Sequence, residues 1–202
     1  MTSSDPRPPD PREVELQALV ASGQLERATE ATLRAYGPEL IGWLCSILPG
    51  EAEAHDAFSW MAEQLWRSLP RYAARCSLRT WCYMLARSGA SRVRGRAHRA
   101  HEELVSHIPS LAHAVTHVWN TTQRADVQRQ NIYAELRASL DADDETLLVL
   151  RVDRDLAWRD IAQVLLGEDA SDDDLIRRAA ALRKQFERIK LQLRERAAQL
   201  RD

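Results

Sequence analysis

Apolar residues recur at three- and four-residue intervals along most of this chain, and the recurrence breaks at Pro and Gly. That spacing lines up one face of a helix, whereas a half-buried strand needs strict alternation, and no convincing alternating segment occurs. One stretch runs from about Leu25 to Leu48 and ends at Pro49-Gly50; the next runs from about Ala52 to Leu69 and ends at Pro70. A loop, Arg71 to Ser77, leads to a helix from about Leu78 to Arg96 with Trp81, Leu85 and Val93 on one face. Only seven Gly and eight Pro occur in 202 residues, so the expected fold class is all-α. Further helices are predicted near 126–140, 143–152, 157–166 and 172–200. Residues 1–24 are predicted as a partly disordered leader. Residues 97–125, with five of the six His, are predicted as a linker with room for one short helix.

A formal net charge of -2 hides a strongly uneven layout. Lys and Arg stand against Asp and Glu as 4 to 11 over residues 1–66, 9 to 0 over 67–101, 6 to 16 over 102–174 and 9 to 3 over 175–202. Two basic blocks separated by an acidic stretch point to two nucleic-acid contacts on one chain. No apolar run approaches the ~20 residues of a membrane helix, so no membrane insertion is expected. The segment Met1 to Pro11 lacks the apolar core of a signal peptide. Cys45, Cys76 and Cys82 show no C-x-x-C pairing, which fits free thiols in a reducing cytosol.

Between Arg67 and His101 nine Arg are interleaved with Tyr72, Trp81 and Tyr83, without one acid. Arg neutralises phosphates and aromatic faces stack on unpaired bases, so the mixture suits single-stranded or melted DNA. The plainer alternative is a solvated basic helix whose Trp81 and Tyr83 belong to the core. The motifs YGPEL from Tyr36, D-x9-W-RSLPRY from Asp56 and SLRTW-x4-AR from Ser77 together resemble region two of the extracytoplasmic-function (ECF) sigma factors. The resemblance implies two helical domains, a sigma region two over 25–96 and a helix-turn-helix region four over 126–202. It implies that Asp56, Leu65 and Trp66 dock on the β′ clamp helices of RNA polymerase core. It also implies that Arg75, Cys76, Ser77, Arg79, Arg87 and Arg92 capture the promoter −10 element. In this chain Ser59-Trp60 and Ser88 stand where the family usually has Gln-Glu and often Asn.

The segment LLVLRVDRDLAWRDIAQVLLG, Leu147 to Gly167, ends in a short amphipathic helix with Ile161, Ala162 and Leu165 inward. Asp155 either caps that helix or takes the turn position where Gly often sits. A short helix, a turn and a long basic helix is a helix-turn-helix pattern. In the last helix Leu182, Phe186, Ile189 and Leu193 form one apolar stripe, and Arg183, Lys184, Arg188 and Lys190 fall off it. This half resembles sigma region four, which implies −35 element contacts by Arg151, Arg183, Lys184 and Arg188, and docking on the polymerase β flap. Fifteen residues separate Gly167 from Leu182, where about six are usual in the family, and the extra stretch holds the acidic run Glu168–Asp174. Either the last helix starts early with its acids pointing away, or this half does not read −35 DNA in the usual way.

The function expected from the resemblance is that of a cytoplasmic, nucleoid-associated sigma factor, not an enzyme. Its partners would be RNA polymerase core and promoter DNA, with an anti-sigma factor as a further partner class of the family. His113 and His117 are four apart, but Ala114 stands where a zinc protease needs Glu and no third ligand is evident, so no metal or other cofactor is expected. No Gly-rich phosphate loop or G-x-S-x-G turn occurs. Arg75 and Arg79 beside Cys76 would favour its thiolate, a redox-tuned loop being the sharper reading of that thiol. Two other functions compete: a helix-turn-helix regulator of operator DNA, and a sigma-like adaptor that binds polymerase without reading DNA.

Overall fold

The computed structural model describes residues 10–95, 109–126 and 140–199. These fold into eight α-helices with no strand among them. They belong to two compact units, residues 1–124 and 125–202. In the first lie α1 (Pro11–Ala21), α2 (Leu25–Ile47), α3 (Glu51–Ser68), a single 3-10 turn (Leu69–Arg71), α4 (Leu78–Gly95) and α5 (Pro109–Asp126). In the second lie α6 (Ala142–Leu148), a wide π-type turn (Val149–Asp153), α7 (Trp158–Leu166) and α8 (Asp172–Gln199). Residues 127–139 of the helix expected near 126–140, and residues 97–108 of the expected linker, lie outside the described residues.

The first unit is built on α2, α3 and α4, whose apolar faces meet in a core of Tyr36, Trp43, Phe58, Met61, Leu78 and Tyr83. α3 and α4 approach closely at Gly89, where an added Cβ would lie 2.7 Å from the Ala57 carbonyl oxygen. Two segments depart from the sequence-based expectation. The first is the leader, of which residues 11–21 form α1. The Asp10 carboxylate accepts from the Arg12 N–H at 3.0 Å and Pro11 occupies the first helical turn, a start signal encoded locally. Leu16 of α1 is buried.

The second departure is the linker, where 109–126 form a five-turn helix rather than a short one. Leu111, Ala114, Val115, Val118 and Trp119 are buried at successive helical intervals. Trp119 packs against Phe58 and meets the His55 ring edge-on at 4.9 Å. Gly37 makes this docking feasible: a Cβ there would stand 2.5 Å from Val118 Cγ1.

In the second unit α7 and α8 pack through Ile161, Ala162, Leu175, Ala179 and Leu182, with Leu147 and Leu150 below them. Asp155 takes the left-handed turn position, φ 50°, and Ala157 is the cap residue of α7. Gly167 ends α7 with φ 92°, and α8 begins at Asp172. Ser171 caps it: the Asp174 N–H donates to Ser171 Oγ at 3.2 Å, and that hydroxyl donates to Asp174 Oδ2. The acidic run therefore belongs to the turn and to the first turn of an early-starting helix.

Candidate nucleic-acid interface

The loop between the 3-10 turn and α4 is braced by its own aromatic residue. The Tyr72 hydroxyl donates to the Cys76 carbonyl, and its ring meets Trp81 edge-on at 5.2 Å. Ala74 turns the chain with φ 54°. Ser77 caps α4, its Oγ accepting from the Thr80 N–H at 3.0 Å. A second cap comes from far along the chain. The buried Glu13 carboxylate of α1 accepts from the Leu78 N–H at 2.5 Å, from the Tyr36 hydroxyl at 2.9 Å and from Gln17 Nε2 at 3.0 Å. A carboxylate at a helix N-terminus is favoured by the dipole, so α1 locks α4 and the basic loop into one arrangement. Burial, and then the charge of Glu13, push the Tyr36 hydroxyl well above its ordinary value. Sequence reading missed Glu13, because its partners stand 23 and 65 residues away.

These contacts sort the −10 candidates. Arg75 and Arg87 are exposed, and Arg92 is exposed with its guanidinium 6.0 Å from the Trp60 ring centroid. Ser77 and Cys76 are half-buried and occupied within the loop. Arg79 is not a free cation: Nε and Nη2 reach the two oxygens of Glu39, each at 2.7 Å. Burial would lower the Arg79 pKa, but Glu39 outweighs it and the guanidinium is held charged. Trp81 and Tyr83 are core residues, Tyr83 packing edge-on to Trp43 at 5.2 Å. The expected stacking role of these two is corrected accordingly, and the plainer core alternative describes them. What the surface offers is a set of exposed Arg, Arg71 and Arg75 in the loop with Arg87, Arg92 and Arg94 on α4.

On α3, Trp66 is 37% exposed and Asp56 half-buried, but Leu65 is fully buried. Successive residues on a helix point about 100° apart, since 3.6 make a turn. Leu65 therefore turns into the core while Trp66 turns out, and Leu65 offers no contact to a partner.

In the second unit Arg151, Trp158 and Arg183 converge. The Arg151 guanidinium lies 4.7 Å, and that of Arg183 6.0 Å, from the Trp158 ring centroid, while Phe186 packs on the same indole edge-on at 5.4 Å. Arg151 also donates from Nη1 to the Leu156 carbonyl at 2.7 Å, and Asp155 approaches it at 3.9 Å. Lys184 and Arg188 line a different place, an open recess of about 470 Å³ walled on the other side by Asp141, Asp143 and Asp144. There Arg188 reaches the nearly buried Asp144 carboxylate at 3.2 Å, and Gln185 donates to it at 2.7 Å. The first turn of α8 carries Asp172, Asp173 and Asp174. Asp172 pairs with Arg159 of α7, and Asp174 with Arg177 at 2.6 Å. Asp174 is held below the usual carboxylate range by the Ser171 hydroxyl and by Arg177.

His113 and His117 are exposed on the outer face of α5. No group of three metal-ligating side chains occurs among the described residues. None of the three cysteines forms a disulfide, and burial pushes the Cys82 thiol far up. No described helix is long and apolar enough to cross a membrane. No family model, curated protein or solved structure matches this chain.

Proposed function

We propose that this chain is a sigma-like transcription initiation factor that brings RNA polymerase core to promoter DNA. The observation that carries the reading is the set of five exposed Arg, Arg71, Arg75, Arg87, Arg92 and Arg94, drawn from a segment without a single acid. Each exposed Arg that meets a phosphate releases condensed counterion, so such an excess of exposed Arg suits a nucleic-acid backbone and gives salt-dependent affinity. On α3, Trp66 is an exposed large aromatic of the kind that anchors protein interfaces. The motif order in the sequence, region two before region four, supplies the family-level support. In this reading −10 capture rests on Arg75, Arg87 and Arg92, with Arg79, Ser77 and Cys76 shaping the loop. Region four engages the −35 side through Arg151 and Arg183, and no catalytic step is assigned to the chain.

One observation favours a second reading, the sigma-like adaptor: the acidic first turn of α8 would meet phosphate where a recognition helix enters the groove. Binding to core polymerase tests the polymerase half of both readings. Wild type should co-elute with core, and Trp66→Ala should weaken that complex on the order of tenfold or more while melting as wild type. Equal binding by both proteins, or none by either, removes α3 as the docking surface.

A further inference from the structure

We infer that Trp158 is a positioning residue that joins Arg151 and Arg183 into one phosphate-binding site, through which the second unit grips the backbone of duplex DNA. This inference rests on the DNA-binding reading above and names the atoms of that contact. Three separate elements meet at the indole: Arg151 from the π-type turn, Trp158 at the start of α7 and Arg183 from the middle of α8. Sequence distance hides this, since 7 and 25 residues separate Trp158 from the two Arg. The indole is itself held in place by the edge of Phe186 at 5.4 Å.

Guanidinium groups stack on aromatic faces and present a planar fork of N–H donors that matches phosphate oxygens. A shared ring therefore does what two flexible side chains cannot do alone: it removes rotamer freedom from both cations before the ligand arrives. Arg151 is fixed further by the Leu156 carbonyl, which uses only its Nη1, and a guanidinium has five N–H donors. Arg183 is exposed and forms no ion pair among the described residues. Asp155 approaches Arg151 only to 3.9 Å and its side chain is 68% exposed, so a phosphate can replace it without leaving a buried charge behind.

The location also answers the acidic first turn of α8. Arg183 lies eleven residues beyond Asp172, about 16 Å along the helix at 1.5 Å per residue. That exceeds the Debye length of about 10 Å at 0.1 M salt, so the acids and this site act on a phosphate backbone nearly independently. By contrast, Arg188 spends its charge on Asp144. The site is thus made by the middle of α8 and the turn before α7, away from the helix tip.

The test is binding of the full chain to a short mixed-sequence duplex, alone and with core polymerase, at salt from about 50 to 200 mM. Trp158→Leu should weaken binding on the order of tenfold and flatten the slope of log K against log salt by about one to two. Arg183→Ala should flatten it by about one and should add little in the Trp158→Leu background, because the two changes remove one site. Trp158→Phe keeps a ring face and should remain close to wild type. A purely structural role for Trp158 would lower melting temperature without this pattern of slopes. A folded Trp158→Leu or an Arg183→Ala that binds with the wild-type slope overturns the inference, as do additive effects in the double variant. Should Trp158→Leu fail to fold, Arg183→Ala and Trp158→Phe decide between these outcomes. If wild type directs transcription while these variants bind unchanged, only this site is refuted. If wild type neither binds duplex nor directs transcription, the proposed function falls with it.

Discussion

Glu13 shows how much one side chain can organise: its two oxygens take hydrogen bonds from the Tyr36 hydroxyl, the Leu78 N–H and Gln17. Removing it strands buried donors, which cost about 1–3 kcal/mol each when left unmade. Glu13→Ala should therefore destabilise the first unit by about 2–4 kcal/mol, read by thermal or urea melting, and Glu13→Gln by clearly less. A loss under about 0.5 kcal/mol would mean that α1 does not secure the loop. A pH effect follows from three neutral acids in the same core. Burial raises the Cys82 thiol above its ordinary 9.0, and burial raises Tyr36 and Tyr72 above their ordinary 10.0. The folded state holds these protons while the unfolded chain releases them, so the stabilisation is complete below pH 9 and declines as pH rises beyond it. Melting between pH 7 and pH 10.5 should show a falling midpoint above about pH 9. A midpoint that is flat across that range contradicts the buried placement of these groups.

Among the elements, α2, α3, α4, α7 and α8 were legible because each carries a strong three- to four-residue apolar stripe closed by Pro, Gly or a cap. α5 carries the same stripe from Leu111 to Trp119, yet His and Thr on its outer face and its place between two motif blocks made it read as linker. α1 has a local start signal in Asp10-Pro11, but what it docks on is set by residues far along the chain. The site was legible in its charge and illegible in its pairing. Sequence shows nine Arg without an acid over 67–101, but not that Glu39, forty residues before Arg79, neutralises one of them. Periodicity separates Leu65 from Trp66 only once the buried face of α3 is known. Leu65→Ala should cost about 2–5 kcal/mol, whereas Trp66→Ala should change stability by less than about 1 kcal/mol. The reverse order in chemical denaturation would mean that α3 is rotated from the orientation described.

For the whole molecule, the charge layout and the two units fit one division of labour. The first unit carries five exposed Arg from an acid-free segment and an exposed Trp on α3; the second carries Arg151 and Arg183 on Trp158 and an acidic helix tip. The most direct measurement is run-off transcription with purified polymerase core, with and without this chain, on genomic promoter fragments including the region upstream of its own gene. A sigma-like factor yields defined transcripts only when the chain is added, and these weaken with Arg75→Ala, Arg87→Ala and Arg92→Ala together. No chain-dependent transcript, with salt-sensitive binding of duplex DNA by the chain alone, would contradict the proposal and leave an operator-binding regulator in its place.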